Sequence, residues 1–183
     1  VLDHGTQLDH PDLNVSSKSY DTETGRSPSQ IWGNHGTACS GIISAKTNNN
    51  LGVAGIAPNC PVMSISNQLM GTADAPQKRA DGFNWAWRNG ASVISNSWRS
   101  STFSELLEDA IQSAMTNGRN GLGFVVTFSA GNYDSNTVGY PARSLPDIIV
   151  VGALSLSGKR KSSTTIDNEG WWGSDYGTQL DIM

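Results

Sequence analysis

Asp3, His35 and Asn132 are the residues whose types could do chemistry together. Asp3 ends the apolar opening "VLD" and is followed by His4 and Gly5. Taken alone, it reads as a turn or helix cap. His35 stands between Asn34 and Gly36 in "WGNHGTACSGIISA", at the mouth of a short apolar helix. Alone, it is either a cap residue or a base held at a strand–helix junction. Asn132 lies in "SAGN", where a lone Asn most often serves as a left-handed turn residue. As a set they read differently. A buried carboxylate orients an imidazole and stabilises its charge, the imidazole takes a proton from a hydroxyl, and an amide NH2 donates to a developing oxyanion.

Such a set needs a scaffold that brings distant segments to one edge. The stretch 61–66, "PVMSIS", reads as a short apolar strand. In 73–90, Ala80, Phe83, Ala86, Trp87 and Gly90 recur at helical spacing, and Gly90 closes the helix. The stretch 91–97, "ASVISNS", is the next strand. In "TFSELLEDAIQSAMTNG", Thr102 and Glu105 form a capping-box pattern, and Leu106, Leu107, Ala110, Ile111, Ala114 and Met115 form one apolar face. Gly118 is expected at the position just past that helix's end. Residues 123–130 and 147–153 are near-continuous apolar runs, which suit parallel strands buried on both faces. The alternation predicts an open α/β domain with helices on either side. In such sheets ligands sit beyond the C-terminal ends of the strands. Asp3, Asn96–Trp98 and Gly131–Asn132 all follow such ends, and His35 opens a helix at the same edge.

Composition limits the alternatives. The chain has 183 residues and a net charge of −4, with no run or stripe of Lys and Arg, so a nucleic-acid partner is not expected. No apolar run approaches the roughly 18 residues of a membrane span. No signal peptide is visible, and the abrupt start and finish read as a segment of something longer. The two cysteines, Cys39 and Cys60, fit no zinc or redox spacing. They allow one disulfide, and as free thiols they are expected in the core.

The motifs around these residues resemble those of the subtilisin-like serine proteases, the subtilases. "VLDHGTQLDHPDL" resembles the family's aspartate motif and "HGTACSGI" its histidine motif. "NNNLGVAGIAPNCPVMSIS" is similar to the segment that follows, "VISNSW" to the substrate-binding strand, "SAGN" to the oxyanion turn and "YPARSLPDIIVVGAL" to the strand after it. The matches are collinear over essentially the whole chain. The resemblance implies a three-layer subtilisin-like α/β fold, with a mostly parallel central sheet and helices on both faces. It implies Asp3 as the triad aspartate, His35 as the general base and Asn132 as the oxyanion donor. Ser97, Trp98 and Arg99 would pair with an extended protein or peptide substrate, with Ala130 and Gly131 as the facing wall. A cis Tyr140–Pro141 bond, a secreted or cell-surface location and a propeptide in the parent protein are implied as well.

Arg99 departs from the pattern, because the family usually has Gly there. Either it points to solvent or its charge acts on the groove. A larger departure is the absence of the Gly-Thr-Ser motif that carries the family's nucleophile. Neither "GTADA" (71–75) nor "GTQLD" (177–181) contains it, and Ser162 and Ser163 follow a basic "GKRK" loop. The chain is therefore expected to be residues 1–183 of an incomplete catalytic domain, with the serine beyond Met183. The resemblance also implies structural calcium. Asp12 and Asn49 would bind through side chains, and Thr47, Leu51 and Val53 through carbonyls. A calcium-free Asn-rich turn is the alternative for that loop. A non-catalytic binding domain on the same fold is the alternative for the function. A nucleotide-binding α/β module is disfavoured, because "DHGTQLDHPD" lacks a Gly-rich phosphate loop.

Overall fold

Short apolar runs separated by helix-length segments cannot pair as hairpins. They pair in parallel, with each crossover packing back on the sheet. A computed structural model describes residues 1–183 and shows this arrangement. In chain order the elements are β1 (Leu2–Asp3), β2 (Val15–Asp21), α1 (His35–Ser44), β3 (Val62–Ser66), α2 (Ala75–Arg88), β4 (Val93–Asn96), α3 (Glu105–Gly121), β5 (Val125–Ser129) and β6 (Ile149–Val151). The six strands form one sheet in the order β2-β3-β1-β4-β5-β6. Every ladder is parallel, so the sheet is wholly rather than mostly parallel. All strand C-termini therefore lie along one edge.

The helices take both faces. On one, Thr6 Oγ1 lies 2.7 Å from Ser40 Oγ of α1, and Thr6 N donates to Ser64 Oγ of β3 at 2.8 Å. On the other, Gly82 of α2 comes so close that a Cβ there would sit 2.8 Å from Leu2 Cδ1 and 3.2 Å from Ile65 Cγ2. Ser64 and Ile65 are adjacent in β3, and adjacent side chains point to opposite faces. α3 packs beside α2, and the main core lies between these two helices and the sheet. Phe83, Leu107, Ile111, Val126 and Phe128 are fully buried there.

Several expectations shift in detail. β2 follows from no clear alternation in "VSSKSYD", an edge strand in which the adjacent Ser17 and Lys18 are both exposed. The cap of α3 is Ser104, not Thr102. Its Oγ accepts from Leu107 N at 3.3 Å, and its backbone is held extended by two hydrogen bonds with the Tyr140 hydroxyl. Leu106 falls outside the apolar face and is 47% exposed. Gly118 ends the regular helix at φ −58°, ψ 153°, so the left-handed residues are Arg119 and Asn120 instead. Glycine is needed at 118 for space, because a Cβ would meet Phe124 Cβ at 2.6 Å. β4, β5 and β6 are buried on the α2–α3 face only. Val93, Val125, Ile149 and Val151 on the other face stay at least partly exposed. Tyr140–Pro141 is cis, and so is Ser27–Pro28. Neither cysteine is in the core and the two are not bonded: Cys39 is half-buried and Cys60 exposed.

Candidate functional site

Asp3 ends β1, between β3 and β4 near the middle of the sheet. A carboxylate buried there must be hydrogen-bonded to stay charged. Its side chain is 1% exposed, and both oxygens lie 2.9 Å from His35 Nδ1. Oδ1 also accepts from His4 N at 2.7 Å. His35 is the first residue of α1, and the segment before it fixes where that helix starts. Trp32 N donates to His4 O at 2.7 Å, and Trp32 Nε1 donates to Asp21 Oδ1 at 2.9 Å. Burial pushes the Asp21 carboxyl up, but donors from Trp32, Thr24 and Ser66 outweigh that and leave it below the usual range. Gly36 then lets the helix close on β1, since a Cβ there would fall 2.4 Å from Gly5 O.

With Nδ1–H donated to Asp3, the neutral imidazole keeps Nε2 as its acceptor. The ring is 53% exposed, so one face of the pair is dry and the other open. No hydroxyl of the chain bonds Nε2. Its near neighbour is Cys39 Sγ at 4.0 Å, which is also 3.7 Å from Nδ1 and 3.8 Å from Ser97 Oγ. Cys39 sits one helical turn after His35, a spacing visible in the sequence. Burial, then the Asp3 charge, pushes this thiol up, which keeps it protonated near neutrality.

The other residues singled out in the sequence meet the same edge. Ser97, Trp98 and Arg99 follow β4, and Ala130, Gly131 and Asn132 follow the neighbouring β5. Trp98 contributes backbone only, because its indole is turned into the core. It meets Phe128 edge-on at 4.9 Å and carries the Arg79 guanidinium 4.8 Å above its ring. Burial pushes Arg79 below its usual range. Ala130 is buried, whereas Asn132 is exposed. Gly131 sits at φ +119°, where an L side chain is strained, and a Cβ would fall 2.1 Å from Asp175 Oδ2.

Asp175 is a residue that sequence reasoning missed. It is fully buried, and its Oδ1 accepts from Tyr133 N at 2.8 Å and Ser135 N at 2.9 Å. It thereby pins the turn that presents Asn132. A second clasp joins Asp134 to Arg160 and to the Ser163 amide and hydroxyl. The Ser163 amide, then Arg160, holds the Asp134 carboxyl down at about 2. Ser162 and Ser163 are thus parts of a scaffold loop, and neither hydroxyl is bonded to His35. That loop closes around the buried Lys161 ammonium, which donates to the carbonyls of Ser162, Glu169 and Trp172.

Asp12 lies away from this edge, with the 46–53 loop. Its Oδ1 accepts from Asn49 Nδ2 at 2.7 Å and its Oδ2 from Val53 N at 3.2 Å. The Asn49 amide holds its carboxyl below the ordinary range. No chain donor bonds the carbonyls of Thr47, Leu51 or Val53. A carboxylate, an amide and backbone carbonyls offer oxygen ligands of the kind a hard cation takes, and in this structure the Asn49 amide oxygen accepts from Leu51 N at 3.2 Å.

The fold is thus a parallel α/β sheet with a carboxylate-held imidazole at its C-terminal edge. The subtilase family profile matches residues 1–177, and the chain belongs to that family of subtilisin-like serine proteases. It is 33% identical over 189 aligned residues to subtilisin E of Bacillus subtilis (strain 168), covering 100% of this chain and 45% of that protein. It is 32% identical to a thermophilic serine proteinase of Bacillus sp. (strain AK1), covering 100% of this chain and 42% of that one. The chain thus spans less than half the length of these curated relatives. The fold matches the crystal structure of MycP1 with the N-terminal propeptide removed (TM-score 0.73, 22% identity, 98% of this chain and 61% of that one). It also matches the prenylagaramide maturation protease PagA (TM-score 0.66, 24% identity, 97% and 57%). No helix is long and apolar enough to cross a membrane.

Proposed function

We propose that these residues form the aspartate–histidine half of a serine endopeptidase active site. The carrying observation is the buried Asp3 carboxylate with both oxygens 2.9 Å from His35 Nδ1. In this reading Asp3 fixes the imidazole's tautomer and stabilises the imidazolium, and His35 Nε2 takes the proton of an attacking serine hydroxyl. That serine belongs to the part of the protein these 183 residues do not span. The Asn132 amide donates to the oxyanion that forms on the scissile carbonyl. An extended protein or peptide substrate pairs through its main chain with Ser97–Arg99, facing Ala130 and Gly131.

Two further features belong to the proposal. Structural calcium would be held by Asp12, Asn49 and the carbonyls of Thr47, Leu51 and Val53, tying the 46–53 loop to the chain before β2. Maturation from a propeptide form and a secreted location also go with a protease of this kind.

The test uses the full-length protein. A fluorescent organophosphonate should label it at one serine, and His35→Ala should abolish labelling and peptide hydrolysis while leaving the melting curve in place. A folded preparation that neither labels nor hydrolyses peptides would favour a binding domain on the same fold.

A further inference from the structure

Arg99 follows Trp98 on the β4 side and lies across the space between the two proposed groove walls. Its aliphatic stem covers Gly139, where an added Cβ would meet Arg99 Cβ at 3.1 Å and Cδ at 3.3 Å. Its guanidinium stacks on Tyr133, the residue after Asn132, with Cζ 4.0 Å from the ring centroid. Its Nη1 stops 3.9 Å from Asp175 Oδ2, beneath Gly131. One side chain that starts on the β4 wall thus ends against the β5 wall. The walls themselves are joined behind it, because Ser100 N donates to Tyr140 O at 2.8 Å and Gly139 N to Ala130 O at 3.2 Å.

The state of the charge matters as much as its place. At 3.9 Å the Asp175 contact is an ion pair without a hydrogen bond, and Asp175 Oδ2 has no hydrogen-bond partner at all. The guanidinium lies over the Tyr133 ring, and none of its N–H groups is hydrogen-bonded within the chain. A planar fork of N–H donors is therefore anchored by charge and by an aromatic ring while its donors stay free. The side chain is 47% exposed, whereas Asp175 is fully buried behind it. A substrate side chain entering between the walls meets the cation first and the carboxylate second.

We propose that Arg99 is a specificity-determining residue that selects a substrate side chain ending in a carboxylate, Glu or Asp, at the position lying between Arg99 and Gly131. The proposal rests on the peptidase reading above for the path of the substrate. A carboxylate there takes the free fork as charge-assisted, bidentate hydrogen bonds. A Lys or Arg side chain meets like charge. A large apolar side chain finds its space over Gly139 already filled by the Arg99 stem.

The experiment uses the full-length protein and internally quenched hexapeptides, varied one position at a time as Glu, Ala, Phe or Lys. At one position Glu should exceed Phe by about tenfold or more in kcat/KM, the size expected of hydrogen bonds to a charged group. The preference should shrink with added NaCl, because the group is half in solvent. Arg99→Gly should erase it and admit Phe, Arg99→Lys should keep part of it, and Arg99→Glu should shift it to Lys. Binding of fluorescent versions of the same peptides to the His35→Ala protein, read by polarisation, tests Arg99 without turnover. Cleavage with the same residue preference in wild type and Arg99→Gly overturns the proposal and leaves the peptidase reading standing. Absence of cleavage with Glu-selective binding that Arg99→Gly removes does the reverse. Binding indifferent to Arg99, in protein that does not cleave, sinks both. A thermal melt of each variant checks that the fold is kept.

Discussion

At the oxyanion turn, two adjacent residues serve different ends. Gly131 is a backbone requirement. Its φ of +119° and the 2.1 Å separation that an added Cβ would have from Asp175 Oδ2 leave room for no side chain. Asn132 is a chemical requirement of the proposed reaction, exposed on a turn that Asp175 pins through the Tyr133 and Ser135 amides. The two substitutions should therefore fail differently. Asn132→Ala is expected to raise the barrier by about 3 kcal/mol, a magnitude that comes from subtilisin itself, with kcat falling and the melting temperature unchanged. Gly131→Ala should lower both, because the turn must move, at about 1–3 kcal/mol for a strained residue. Measuring kcat and a thermal melt on each separates them. An Asn132→Ala protein of full kcat would remove that amide from the reaction. Asp175 was not legible beforehand. Nothing in "SDYG" shows that its carboxylate is buried under a turn some forty residues upstream, since that contact exists only after β5 and β6 pair.

At the scale of elements, the sequence was most legible where a periodic pattern meets a buried face. The α2 and α3 faces and the strands β3 to β6 follow directly from apolar spacing. β2 escaped notice because it is an edge strand with little alternation to read, and Ser104 displaced Thr102 as a cap because Tyr140, distant in sequence, holds it extended. The Asp3–His35 pairing was legible because motif and topology agree. The place of the Trp98 indole was not, since a residue after a strand can turn either way. The 46–53 loop gives an element-scale prediction. It is tied to Asp12 by hydrogen bonds from Asn49, Val53 N and Lys46 N, while its own carbonyls at 47, 51 and 53 are open. A cation that binds only the folded loop stabilises the protein by mass action. Adding calcium at about 100 times its Kd should stabilise the full-length protein by about 2.7 kcal/mol, read as a rise in Tm. Asp12→Ala should remove that rise, and an equal calcium shift in both proteins refutes the site.

For the whole molecule, the two faces of the sheet are unequally covered. α2 and α3 complete a core of 21 buried residues on one side. On the other, α1 packs on β1 and β3, and the strands beyond are only partly covered. The register lines up Val93 with Val125, Ser95 with Thr127 and Ile149, and Ser129 with Val151 on that face. Val93 is 55% exposed and Ile149 37%. Apolar side chains gathered in one patch are driven to find cover. The same face lies on the His35 side of the sheet, where α1 packs on β1 and β3. Residues 1–183 prepared alone are therefore expected to self-associate and to leave peptides uncut, since on the proposed reading the acyl-enzyme route needs a serine that these residues do not supply. Size-exclusion elution and a casein assay beside the full-length protein read both outcomes. Hydrolysis by a monomer of this chain would put the nucleophile within it, and Ser97, whose Oγ lies 3.8 Å from Cys39 Sγ at the end of β4, would then be the hydroxyl to replace first.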